Sequence, residues 1–165
     1  MTLAACSPTY NWRDYTSAPG RYRVTFPAKP ASATRAIDLD GMRVSMTMTA
    51  AEVEGATFAV GAAEAPDAAR ARAALEAMKL ALLRNIGASV SASASASASA
   101  SASDGGAGRA SLDVDATGTG QGGPMRLVGH FEARGTRFYQ VIVVARDKAV
   151  PPEQIEQFLT SFTLL

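Results

Sequence analysis

A chain of 165 residues, 47% of them apolar and much of that share alanine, suits one hydrophobic core and does not call for a second. Sixteen basic and fifteen acidic residues leave a formal charge of +1 with the cations scattered along the chain. That spread argues against nucleic acid as a partner and against a polybasic membrane patch, and no apolar run approaches the roughly 18 residues of a spanning helix.

Cys6 is the only cysteine, so a monomer has no internal disulfide and no cysteine-rich metal site. Leu3-Ala4-Ala5-Cys6 resembles the lipobox of bacterial lipoproteins, in which small residues fit the signal peptidase and the cysteine thiol takes a diacylglyceryl group. Only five residues precede Cys6, too few for a basic and apolar export segment, so this reading places the true start upstream. A chance match in an alanine-rich protein is the plain alternative. Lipidation at Cys6 implies an envelope lipoprotein, and Ser7 rather than Asp in the next position resembles proteins sorted to the outer membrane, facing the periplasm.

Along the chain, Tyr10 to Tyr15 reads as an edge segment with Trp12 as a packing residue, closed by a turn at Ala18-Pro19-Gly20. Tyr22, Val24 and Phe26 alternate with Arg21, Arg23 and Thr25, a strand with one buried face that Pro27 and Pro30 stop. Asp40-Gly41 joins strands over 34–39 and 42–50, with Val44, Met46 and Met48 inward, and Glu54-Gly55 leads into another strand over 56–63. Asp67 caps a helix that Gly87 ends, with Leu75, Met78, Leu82 and Ile86 forming its apolar stripe.

From Ser89 to Ser103 every odd residue is serine, and the even ones are Val90 followed by alanines. The period is that of a strand, but neither face has the apolar area to hold one by burial. A silk-like strand and an elongated projecting loop are equally compatible with it. Beyond it, Leu112 and Val114 mark a strand that ends in a glycine-rich connection over 118–123. Met125, Leu127, Gly129 and Phe131 predict one arm of a hairpin that turns at Arg134-Gly135 and returns over 137–145. Pro151-Pro152-Glu153 opens a second helix, after which the chain rejoins the sheet.

These elements predict a single α+β domain over 10–165: an antiparallel sheet of about six to eight strands flanked by two helices, with the Ser/Ala insertion at 89–106. The strand G-x-Y-x-V-x-F-P from Gly20 to Pro27, the meander, the long helix, the strong hairpin and the terminal F-L-T-S-F from Phe158 to Phe162 resemble the PsbP-like fold. That family includes extrinsic photosystem II subunits and many small bacterial lipoproteins. The resemblance implies an α-β-α sandwich with a binding or assembly role, and it transfers no ligand residue.

Candidate chemistry is sparse. His130 is the only histidine and is expected on the solvated face of its strand, with no orienting partner visible in the sequence. The glycines of 118–123 lack the following helix and the Lys-Ser/Thr ending of a phosphate loop. Asp113 and Asp115 share an outward face, a spacing open to weak calcium chelation or paired acid–base work and commoner as plain solvated carboxylates. Met42, Met46 and Met48 could present thioethers to Cu(I), although methionines on an inward face are usually core filler. No catalytic set, metal site or cofactor is predicted. The leading expectation is a lipid-anchored monomeric domain that binds another envelope protein. Behind it come a small-ligand or metal carrier using the cleft between first helix and sheet, and an enzyme of unfamiliar chemistry.

Overall fold

A computed structural model describes residues 8–88, 97–101, 109–120 and 123–165. Cys6 and most of the Ser/Ala tract lie outside the described residues. The elements run β1 (Arg13–Ser17), β2 (Tyr22–Phe26), β3 (Ala31–Leu39), β4 (Met42–Val53), β5 (Ala56–Glu64), α1 (Ala68–Asn85) and β6 (Ser97–Ser101). They continue with β7 (Arg109–Gly120), β8 (Gly123–Arg134), β9 (Arg137–Arg146), α2 (Pro152–Ser161) and β10 (Thr163–Leu164).

The chain is thus α+β. Seven strands form an antiparallel sheet in the order β3-β4-β5-β9-β8-β7-β6, and β1, β2 and β10 form a separate three-stranded sheet. The second sheet corrects the sequence reading, which kept Tyr22–Phe26 and the chain's last residues in one sheet. Every inward residue of β2 is fully buried (Tyr22, Val24, Phe26), and these bulky side chains lie flat over the main sheet rather than extending its edge. Pro27 and Pro30 give the chain the break at which it crosses between sheets.

Alternation along the central strands sorts the core into two layers. Phe138 and Ile142 of β9 join Leu112, Val114, Leu127 and Phe131 beneath Ala71, Ala74, Leu75, Met78 and Leu83 of α1. Tyr139, Val141 and Val143 face the other way, with Phe58 and Val60, against β2 and against Ile155 and Phe158 of α2. Phe58, Phe26 and Phe158 meet with ring centroids 5.3 and 5.5 Å apart about Phe158.

Asp67 caps α1 by accepting from the Arg70 amide at 2.7 Å, and Gly87 takes φ +72 after its last turn. Leu83, not Leu82, completes the buried stripe of α1, because Leu82 lies at the rim of the helix face. The predicted turns Asp40-Gly41 and Glu54-Gly55 both carry the positive φ angles of tight hairpins. The β8–β9 turn falls one residue later than expected, at Gly135-Thr136, since Arg134 and Arg137 are themselves paired.

The glycine-rich stretch is not all connection, because β7 continues through Gly118 to Gly120. At Gly118 the end of α1 lies on the strand so closely that a Cβ would sit 2.2 Å from the Ile86 carbonyl oxygen, a contact only glycine permits. Of the two readings of the Ser/Ala tract, the described residues 97–101 follow the strand: they pair with β7 as the edge of the main sheet, Ser97 opposite Asp113 and Ser101 opposite Arg109.

Candidate functional site

Two places gather polar chemistry. The first is the face of β7 and β8 turned away from α1. Register sets Asp113 opposite His130, and period two brings Glu132 onto the same face. His130 Nδ1 lies 2.6 Å from an Asp113 carboxylate oxygen and Nε2 lies 3.3 Å from Glu132 Oε2. Glu132 is buried, and Arg109 reaches over it with Nε 2.6 Å from Oε1. That contact is an ion pair without an aligned hydrogen bond, which leaves Oε1 without a directed donor.

Two carboxylates raise the His130 pKa above its ordinary value: the hydrogen bond to Glu132 does most, burial works against it, and Asp113 adds to the rise. Burial alone would raise Glu132, but the His130 hydrogen bond and the charges of Arg109 and His130 bring it below the usual carboxylate value. His130 lies on the outward face as expected, its side chain 27% exposed, and the partners that the sequence does not reveal come from the neighbouring strand and from two residues along its own. Glu132 and Arg109 were missed. Alternation from His130 could have flagged Glu132, whereas Asp113 needed the strand register.

Asp113 and Asp115 share the outward face as expected but do not act as a pair. Asp115 is held by Arg126 through Nε at 3.0 Å and Nη2 at 2.8 Å. Among the described residues no three His, Cys, Asp or Glu side chains converge on a point that could hold a cation. Met46 and Met48 do converge, their sulfurs filling the space above Gly61, where a Cβ would lie 3.0 and 2.7 Å from them. Gln140 Nε2 donates to the Met48 sulfur at 3.4 Å. Met42 lies four residues away along β4, about 13 Å by strand rise, so the three thioethers do not share one point.

The second place is a cavity of about 650 Å³ between the β1–β2 turn and the main sheet, with Tyr15, Tyr22, Thr34, Thr47 and Arg137 among its walls. Hydroxyls run along its floor: Tyr22 donates to Thr49 at 3.3 Å, Thr49 and Ser32 lie 2.7 Å apart, and Thr34 and Thr47 2.8 Å apart. The turn over it is tied down by the Tyr139 hydroxyl donating to the Gly20 carbonyl at 2.8 Å and by Arg137 donating to the Pro19 carbonyl at 2.9 Å. Burial raises the pKa of both Tyr22 and Tyr139, which keeps the phenols protonated as donors. The cleft expected between α1 and the sheet exists at the Asp40-Gly41 turn but is smaller, about 380 Å³.

Among the described residues no helix is long and apolar enough to cross a membrane. No family model matches the chain, and no curated protein matches it.

Proposed function

We propose that this chain is a lipid-anchored module of the bacterial envelope, of the PsbP-like α-β-α type, that binds or assembles with another envelope protein and performs no reaction. The observation that carries the reading is β3. It is nine residues long, it borders the main sheet with β4 as its only neighbour among the described strands, and residues 31–36 are all exposed. Its outward backbone groups are free to pair with a strand of a partner, and exported domains use such edges for strand addition. The His130 ring supports a structural role over a catalytic one, because both nitrogens already face carboxylates and neither is left for a substrate proton.

The anchor is tested by intact mass and membrane fractionation of protein expressed with its upstream sequence, alongside Cys6→Ala. A lipid-sized mass increase and membrane retention, both lost in the variant, support the address; an unmodified cytoplasmic product sinks it. The edge is tested by a photo-crosslinking residue at Ala33 in cells, with one at Arg72 on the exposed side of α1 as reference. A discrete protein adduct at position 33 alone supports the reading, and equal adducts at both positions overturn it.

A second reading, a periplasmic small-ligand carrier, is favoured by the 650 Å³ cavity, which lies within the usual range for ligand sites. A small molecule retained through purification and lost in Thr47→Trp would support it.

A further inference from the structure

The cations are scattered in the sequence, but the fold gathers several at one end of the main sheet. Arg109 is the register partner of Arg134, and Arg134 of Arg137, so three guanidinium-bearing side chains stand in a row across β7, β8 and β9 at strand spacings of about 5 Å. Like charges placed directly opposite cost stability, so the row is not explained by the sheet's own needs. Glu132 neutralises Arg109. Arg134 forms no ion pair among the described residues, and Arg137, whose register partner on β5 is Glu64, donates to the Pro19 carbonyl.

A fourth cation joins from the other sheet. Arg21, at the start of β2, holds φ +55, a conformation a non-glycine side chain adopts at a cost. With Arg134, Arg137, Tyr139, Leu164 and Leu165 it lines a groove of about 340 Å³. The C-terminal strand pins that geometry through the Leu165 amide donating to the Arg21 carbonyl at 2.9 Å. Arg21 likewise has no acidic partner among the described residues.

We propose that this groove binds a phosphate-bearing ligand, with Arg21, Arg134 and Arg137 taking the phosphate oxygens and Tyr139, Leu164 and Leu165 packing on the organic portion. Phosphate is favoured over carboxylate because three forked donors line one groove where one would satisfy a carboxylate. The groove suits a phosphate ester with a small substituent, and its source is either a soluble phosphoester or a lipid headgroup. The site is separate from the β3 edge and does not depend on the proposed partner.

The test uses the full chain carrying Cys6→Ala, so that no acyl group contributes. Amide spectra are titrated with inorganic phosphate, and binding is measured to vesicles of phosphatidylglycerol and of phosphatidylcholine. Saturable shifts centred on Gly135, Thr136 and Leu164 are expected, weakened about tenfold or more by Arg134→Gln and again by Arg21→Gln. Arg134→Lys, which keeps the charge and loses the fork, falls between. Arg70→Gln with Arg72→Gln on α1 removes equal charge and leaves the affinity unchanged.

Preference for phosphatidylglycerol vesicles over free phosphate, lost in the same variants, assigns the source to lipid; tighter binding of free phosphate assigns it to a soluble ester. Absence of arginine-dependent binding to either overturns the site. Equal weakening by the α1 control also overturns it, since the attraction would then be bulk charge alone.

Discussion

Replacing Gly118 by alanine tests whether α1 and β7 are as closely packed as described. The new Cβ would meet the Ile86 carbonyl oxygen at 2.2 Å and the Ala88 nitrogen at 2.6 Å, both backbone atoms. Reaching the 3.4 Å of ordinary contact with that oxygen requires the helix end and the strand to part by about 1.2 Å. No rotamer change can absorb this, and the Ala88 amide is itself bonded to the Leu83 carbonyl at 2.9 Å. Overpacking of this kind costs about 1–3 kcal/mol, and an unyielding backbone puts the expectation at the upper end. For a chain of this size that lowers Tm by about 6–12 °C. Gly129→Ala is the internal reference: its Cβ would meet the Ile142 Cγ2 at 3.1 Å and the Phe131 Cε2 at 3.2 Å, side-chain atoms rather than backbone. Alanine also regains up to about 1 kcal/mol of backbone entropy in a strand, so this variant should melt close to the wild type. Thermal and urea unfolding of the two variants side by side decide the matter. If Gly118→Ala melts with Gly129→Ala, the reasoning about the α1–β7 contact is refuted.

Three further outcomes follow from the two polar places and the aromatic layer. His130 has a raised folded-state pKa, so its contribution is complete below the ordinary value of about 6.5 and is lost as pH rises through the folded value. Glu132 has a lowered one, so its contribution holds above the usual carboxylate value and is lost as pH falls. Wild type should therefore lose more stability than His130→Gln between about pH 6 and pH 9, and equal slopes in a Tm–pH series would contradict the pairing. Tyr139→Phe removes the donor to the Gly20 carbonyl and should cost about 0.5–1.5 kcal/mol while speeding hydrogen exchange at Arg21; unchanged exchange would show that the turn is held by other contacts. Phe158→Ala empties the space between Phe26 and Phe58 and should destabilise by about 3–5 kcal/mol in urea unfolding, with a loss below about 1 kcal/mol counting against the packing described.

The sequence was most legible where the local pattern matched the burial. Tyr22-Val24-Phe26, the Asp40-Gly41 and Glu54-Gly55 turns, the Asp67 cap and the β8–β9 hairpin all carry signals within a few residues. What it hid was non-local. Nothing near Tyr22 tells a strand of the main sheet from one lying across it, because a buried alternating face looks the same in both. The span of β7 through Gly118 was obscured because glycine reads as a break, while here it admits the end of α1. Asp113 and His130 are 17 residues apart, and their meeting depends on the register between two twelve-residue strands. The arginine groove has the same origin: Arg21 and Arg134 are distant in the chain, and only the crossing of the small sheet brings them to one cavity.

The histidine row and the arginine groove also differ in why they exist. Over β4, β5 and β9 the main sheet is covered on both faces, and buried apolar residues of both layers secure those strands. Over β7, among the described residues, the apolar cover is on the α1 side, with Leu112, Val114 and Ala116 pointing to it and Asp113, Asp115 and Thr117 pointing away and exposed. Charged cross-strand pairs add cohesion on the opposite side, so Asp113–His130 and Asp115–Arg126 act as fasteners between β7 and β8. No such argument applies to Arg21 and Arg134, and Arg137 ties down only the β1–β2 turn. Among the described residues they form no ion pair, and one of them, Arg21, holds a costly backbone conformation. A cationic cluster without ion pairs among the described residues is the better candidate for an external partner, and that is why the arginine groove, rather than the histidine row, is assigned a ligand.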